Sequence, residues 1–261
     1  MSVLSLTDKT AVVTGGGRGI GAAVARALAG AGASVVIAAR TQTQIEGVAD
    51  ELRAAGREAW PVVCDVADPE SVSDMARMAT EQLGHVDILV NNAGIAPSAP
   101  LHKITLDEWN RVLAVNVTGT FLCTQVFVPG MVKRVWGRVV NVASIAGKTG
   151  AKYIAAYSAS KHAVLGFTRS VAAEVAASGV TVNAVCPGYV DSDMTREAVD
   201  RIAGKAGLSR EKALQSLLDM SPQKRLIEPE EVAHTVLWLC GDAARSVNGE
   251  AIVMDGGALL A

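Results

Sequence analysis

The chain lacks the features that mark several common protein classes. Its four cysteines, Cys64, Cys123, Cys186 and Cys240, lie far apart and form no C-x-x-C pair, whereas a zinc site needs clustered ligands. They read as small buried hydrophobes of a reducing compartment. His85, His102, His162 and His234 are equally scattered, so no metal site is expected. Charge is nearly balanced, 24 Lys+Arg against 26 Asp+Glu for a net −2, with no block of one sign. The basic patch of a nucleic-acid reader is therefore missing. No uninterrupted apolar run reaches the ~18 residues of a membrane span, and residues 1–10 lack the basic-then-apolar order of a signal peptide. The expectation is a cytoplasmic protein without nucleic-acid or membrane partners. Pro/Gly/Ser-rich linkers and internal repeats are also wanting.

What is present is apolar and regular. Of 261 residues, 50% are hydrophobic and 19% charged, enough for a large core and too apolar for disorder. Short Val/Ile-rich runs alternate with Ala-rich helical stretches. The strands are expected at Thr10–Thr14, Ser34–Ala39, Trp60–Cys64, Val86–Asn91, Arg138–Ala143, Val180–Val185 and Ala251–Val253. Helices are expected at Ile20–Ala31, Ile45–Ala55, Pro69–Leu83, Leu106–Val128 (interrupted by Asn116 and Gly119), Tyr157–Ser178 and Glu228–Cys240. Apolar strands alternating with helices predict an α/β fold: one doubly wound Rossmann-type domain over residues 1–261, with a parallel sheet covered on both faces. Between Pro187 and Pro222 two helical patterns, Met194–Ala203 and Ser209–Leu218, follow each other without a strand. So long an insertion is usually functional. It is expected to form a substrate lid, about 191–221, at the carboxyl edge of the sheet, where ligands bind.

The first strand runs into Thr14-Gly15-Gly16-Gly17-Arg18-Gly19-Ile20-Gly21. Glycines let the backbone turn sharply and come close to a ligand, and the helix start that follows offers free N–H groups to a pyrophosphate. The spacing is G-x-x-x-G-x-G over Gly15, Gly19 and Gly21, and Ile20 belongs to the same turn. At the end of the second strand, Ala38-Ala39-Arg40 carries no acid for an adenosine 2′-hydroxyl. Arg40 and Arg18 instead suit a 2′-phosphate, which favours NADP(H) over the alternative NAD(H).

Tyr157 and Lys161 stand one helical turn apart. A phenol of pKa ~10 is a poor base near neutrality. A lysine cation ~4 Å away at an effective dielectric of ~20 would contribute ~4 kcal/mol, about three pKa units. On that expectation the pair exchanges a proton with a carbonyl. Ser144, at the end of the fifth strand, either holds the substrate oxygen or caps a turn. Asn116, between apolar Val115 and Val117, needs partners if buried; it either supports a water chain to Lys161 or is a satisfied core amide.

Taken together these pieces resemble the short-chain dehydrogenase/reductase family. The matching stretches span nearly the whole chain: T-G-x-x-x-G-x-G at Thr14–Gly21, C-D-V at Cys64–Val66, N-N-A-G at Asn91–Gly94, Asn116, Ser144, Y-x-x-x-K at Tyr157–Lys161, P-G-Y-V at Pro187–Val190, and V-x-G-x-x-x-x-x-D-G-G at Val247–Gly257. The resemblance implies Tyr157 as general acid/base, Lys161 lowering its pKa and holding the nicotinamide ribose, Ser144 orienting the carbonyl, and Asn116 anchoring a relay water. It also implies Asp65 and Val66 at the adenine, Asn92, Ala93 and Gly94 along the adenosine, and Pro187, Gly188 and Val190 beside the nicotinamide. Ser192 stands where many members have a threonine. A homotetramer is implied as well.

A closer likeness is to 3-oxoacyl-carrier-protein reductases and polyketide ketoreductases, around Ala156–Val190, with a lid like that of hydroxybutyrate-type dehydrogenases at Gly207–Glu211. Carrier-dependent members often have a basic residue where Ala173 stands here. Lys133 and Arg134 are the remaining basic pair. Expected functions are an NADP(H)-dependent carbonyl reductase, a 3-oxoacyl thioester (carrier-protein or coenzyme A) reductase, an NAD-dependent catabolic alcohol dehydrogenase, or a catalytically silent binding protein on the same fold.

Overall fold

A computed structural model describes residues 4–260. Seven parallel strands form one sheet: β1 (Thr10–Thr14), β2 (Ser34–Ala39), β3 (Ala59–Val63), β4 (Ile88–Asn91), β5 (Gly137–Val142), β6 (Val180–Pro187) and β7 (Ala251–Met254), in the order β3-β2-β1-β4-β5-β6-β7. The strand order reverses between β1 and β4, which opens a crevice at their carboxyl ends. Both faces of the strands are apolar. Ala11 and Val13 of β1 point into one core layer with Val35, Ile37, Ile88 and Val90. Val12 points into the other with Val36, Leu89 and Val139. Each such fully buried side chain is worth about 1.5–3 kcal/mol, so the register is held from two sides at once.

Helices α1 (Gly19–Gly30), α2 (Gln42–Ala54) and α9 (Pro229–Cys240) cover the first layer; α3 (Pro69–Leu83), α5 (Gly119–Lys133) and α6 (Ala155–Val175) cover the second. α1 is built of Ala22, Ala23, Ala25 and Ala29 on its buried side, which lets it lie close to the sheet. β3 lies one residue earlier than expected and contains Pro61. The edge position explains this: an edge strand tolerates the missing N–H donor.

The interruption expected at Asn116 and Gly119 is not a break. α4 (Leu106–Leu113) runs into α5 through one π-helical turn, Ala114–Thr118. Gly119 is there for close approach, since a Cβ would stand 2.7 Å from Val66 Cγ2. The continuous helical stretch Leu106–Lys133 is long and apolar enough to cross a membrane, but half of that apolar window is buried inside the protein; its apolar residues Cys123, Phe127 and Met131 belong to the core. After β6 come α7 (Asp193–Ala206) and α8 (Arg210–Leu218), capped by Ser192 and Ser209. They share a small separate core of Val199, Ala213 and Leu217.

Candidate active site

The glycine-rich turn leaves β1 at Thr14 and is laced to the end of β4. Thr14 Oγ1 accepts from Asn92 N at 3.1 Å and Ala93 N at 3.2 Å. Asn92 Nδ2 donates to the carbonyls of Thr14 and Gly15, both at 3.0 Å. This seam leaves no room for side chains. A Cβ on Gly15 would lie 2.9 Å from Ala93 Cα, and one on Gly21 would lie 2.2 Å from the Gly15 carbonyl. Gly15 and Gly19 also have φ of +63° and +52°, conformations that disfavour any other residue. The N-cap of α1, Arg18, makes no side-chain cap bond, so no capping side chain claims the first-turn N–H donors. A phosphate group fits that arrangement.

The turn forms one wall of a cleft of about 330 Å³. Gly15, Arg18, Gly19 and Ile20 line it from the turn, Arg40 from the end of β2, Asp65 and Val66 from beyond β3, Asn92, Ala93 and Gly94 from beyond β4, and Ser192 from the N-cap of α7. Thus residues from five chain segments converge, those of the turn and Arg40 singled out by the sequence pattern and the rest by the family resemblance. Gly21 supports the turn from behind. Arg40 is largely exposed, with Nη1 4.0 Å from Asp65 Oδ2. Asp65 itself accepts from Ala67 N at 3.0 Å. Arg18 reaches across the cleft to α7, with Nη1 3.2 Å from Asp193 Oδ2 and Nη2 3.8 Å from Glu197 Oε1. Gly188 N donates to Met254 O at 2.9 Å, and Val190 forms a bridge with Ile227, so the P-G-Y-V stretch is pinned to the end of β7 and to the segment before α9.

Lys161 and Asn116 are buried beyond the Gly94 end of this cleft. A Cβ on Gly94 would stand 3.3 Å from Asn116 Oδ1 and 3.7 Å from Lys161 Nζ, so that glycine keeps the approach to both open. Asn116, 1% exposed, accepts from Ile95 N at 2.9 Å and donates to Ile95 O at 3.0 Å and Ser160 Oγ at 2.9 Å. Both its N–H groups are used, which makes it a brace between the loop after β4 and α6. Its place in the π turn fits the frequent use of such turns at functional sites. Ser144 accepts from Ala146 N at 3.1 Å, and its hydroxyl is near enough to the Tyr157 phenol to pull the phenol down. Of the two roles the sequence left open for Ser144, the cap of the short 3-10 turn Ile145–Gly147 is present.

The expected lysine effect on Tyr157 is not what the geometry shows. Burial pushes the phenol above its usual value, while the Ser144 hydroxyl pulls it down and Tyr189 and Cys186 raise it further. Lys161 Nζ lies 5.7 Å from the Tyr157 ring centroid and donates to Val142 O at 2.8 Å. Burial in turn lowers Lys161 to about 8. Desolvation is the largest cause at both groups, and the ammonium gives its hydrogen bond to the strand-end carbonyl of Val142. In this state Tyr157 is a held proton donor at neutral pH. Sequence reasoning missed Ser160, Asp193, Glu197 and the Val142 carbonyl. Of these only Ser160 lies inside a singled-out motif, and nothing local marks its hydroxyl as the partner of Asn116.

Comparison with known proteins agrees with this geometry. Residues 9–203 match the family described as short chain dehydrogenase. A 3-oxoacyl-acyl-carrier-protein reductase of Synechocystis is 40% identical over 258 residues, 98% of this chain and 99% of the relative. A D-beta-hydroxybutyrate dehydrogenase of Rhizobium meliloti is 39% identical over 218 residues, 82% of this chain and 84% of the relative. A crystallised variant of actinorhodin polyketide ketoreductase with NADPH superposes with a TM-score of 0.93 at 37% identity, covering 96% of this chain and 97% of that one. With the crevice at the strand-order reversal and these likenesses over nearly the whole chain, the chain is a member of the short-chain dehydrogenase family, an NAD(P)-dependent oxidoreductase that interconverts ketones and secondary alcohols.

Proposed function

We propose that the protein is a cytoplasmic, NADPH-preferring carbonyl reductase acting on a medium-sized, mostly apolar ketone, built as one domain with residues 191–221 as its lid. The observation that carries the reading is the Tyr157 phenol, kept protonated by burial beside Ser144. When bound, the dinucleotide supplies the hydride. The chain's own residues do the rest. Ser144 and Tyr157 orient the carbonyl oxygen, and Tyr157 Oη gives its proton to that oxygen. Lys161 holds the nicotinamide ribose and carries positive charge next to the phenol as it ionises. Asn116 positions Ile95 and, through Ser160, the turn of α6 that bears Tyr157; a relay water would take the remaining lone pair of its Oδ1.

For the cofactor, Gly15, Arg18, Gly19, Ile20 and Gly21 would take the pyrophosphate end. Asp65, Val66, Asn92, Ala93 and Gly94 would take the adenosine, and Pro187, Gly188, Val190 and Ser192 the carboxamide end. The NADPH preference rests on Arg40, exposed at the cleft with no acid on Ala38 or Ala39. A second reading, reduction of a 3-oxoacyl thioester, is supported by the Synechocystis relative. Of the basic pair considered for its carrier, Arg134 is engaged with the Val86 carbonyl and 3.7 Å from Asp87, which leaves Lys133. A homotetramer is supported by exposed apolar side chains on α5 and at the C-terminal end, among them Phe121, Val126, Trp238 and Leu260.

Fluorescence titration with NADPH and NADH tests the cofactor reading. Tighter NADPH binding is expected; equal affinities would overturn the Arg40 argument, and binding of neither would revive a silent scaffold. Turnover of acetoacetyl thioester against free ketones separates the two substrate readings, and light scattering tests the tetramer.

A further inference from the structure

The Arg18 guanidinium occupies both terminal nitrogens on the lid: Nη1 on Asp193 and Nη2 on Glu197. Each of those carboxylates has a second cation. Asp193 Oδ1 lies 2.8 Å from Arg196 Nη2, and Glu197 Oε2 lies 3.9 Å from Arg201 Nη1. Arg18 is therefore transferable. If it turns away, neither carboxylate is left without a partner. All three side chains keep substantial solvent contact, and an exposed ion pair of this kind is weak and screened by salt. Arg18 and Asp193 line the same cleft as Arg40.

We infer that Asp193 and Glu197 are selectivity determinants of the cofactor site: they compete with an adenosine 2′-phosphate for the Arg18 guanidinium and so set the margin by which NADPH outbinds NADH. This rests on the NADPH reading above and names the lid residues that tune it. A phosphate monoester needs the donors of a guanidinium fork, and the lid acids already hold that fork. Binding of a 2′-phosphate exchanges two weak carboxylate contacts for one charge-assisted pair. It also releases the tie between the glycine-rich turn and α7, so cofactor identity is coupled to the freedom of the lid. A ligand with a 2′-hydroxyl leaves the tie in place.

The test is the double variant Asp193→Asn/Glu197→Gln, whose neutral side chains keep the shape and lose the charge. NADPH, NADH, 2′,5′-ADP and 5′-AMP are titrated by fluorescence or calorimetry against the wild type, the double variant, Arg18→Ala and the triple variant. NADPH and 2′,5′-ADP should bind the double variant about two- to fivefold more tightly, with NADH and 5′-AMP changed by less than about twofold. The gain should vanish in the Arg18→Ala background and shrink in high salt. A gain shared equally by all four ligands, no gain, or a gain that survives Arg18→Ala overturns the inference. The starting ratio in the wild type is a separate readout. If NADH binds as well as NADPH and Arg40→Ala changes nothing, the NADPH reading fails. The shift between wild type and double variant still reports on Asp193 and Glu197. Melting temperatures of the variants within a few degrees of wild type keep folding out of the comparison.

Discussion

Lys161 is a cation, 5% exposed, whose hydrogen-bond partner is the Val142 carbonyl at 2.8 Å. Replacing it with methionine, of similar length and no charge, isolates what its burial costs. Desolvation holds the folded-state value at about 8, against 10.5 for the free side chain. A lysine with a depressed value destabilises the fold wherever it is charged in both states. That penalty is fully present below pH 8. As pH rises from 8 towards 10.5 the native state sheds the proton while the unfolded state keeps it. The unfolded state then binds more protons, and stability increases with pH. The depression of about 2.5 units corresponds to about 3 kcal/mol. Most of it should be recovered by pH 10. Urea unfolding of wild type and Lys161→Met at pH 7, 8, 9 and 10 gives the contrast directly. Buried Tyr157, Cys186 and Cys240 have raised values and titrate in the opposite sense, but they are common to both proteins and largely cancel. The stability of wild type relative to the variant should climb by about 2–3 kcal/mol between pH 7 and pH 10. A flat difference would show that Lys161 is not desolvated in the native state, and the reading of it as a charge held in the interior for the site would go with it.

Tyr157→Phe should abolish turnover while leaving NADPH binding within about twofold, since the ring stays and the proton donor goes; activity near wild type would sink the mechanism. Gly21→Ala would place a Cβ 2.2 Å from the Gly15 carbonyl, so the turn must shift. A cost at or above the upper end of the ~1–3 kcal/mol typical of overpacking is expected, together with weaker dinucleotide binding, and an unchanged melting temperature would refute the close packing. Asn116→Ala takes away the side-chain partner of the half-buried Ile95 N–H and C=O and a partner of buried Ser160. At ~1–3 kcal/mol per abandoned group, chemical denaturation should show a loss of at least ~3 kcal/mol, against near-zero change if Asn116 served only a solvent water. Because burial raises Tyr157, ketone reduction should hold through neutral pH and fall in the alkaline range as the phenol ionises; a pH–rate profile already falling below pH 7 would contradict this.

The sheet, the glycine-rich turn and the one-turn spacing of Tyr157 and Lys161 were legible in the amino-acid order, because each is written in local spacing. Apolar runs of strand length, glycines in G-x-x-x-G-x-G and a phenol one helical turn from an ammonium are patterns within a few residues of one another. The amino-acid order also placed α7 and α8, where two helical patterns lacked a strand between them. Where the polar atoms end their hydrogen bonds was not legible there and follows from the folded arrangement. Lys161 points to Val142 and so does not lower the phenol as spacing suggested, because burial and a backbone acceptor outweigh a neighbour one turn away. Asn116 finds Ile95 and Ser160, 21 and 44 residues distant, and Arg18 finds Asp193, 175 residues distant. Gly119 is a packing contact with Val66 where the sequence suggested a helix break. Local rules fix which elements form. The strand order, which sets β1 beside β4 and β4 beside β5, decides which distant residues meet at their ends.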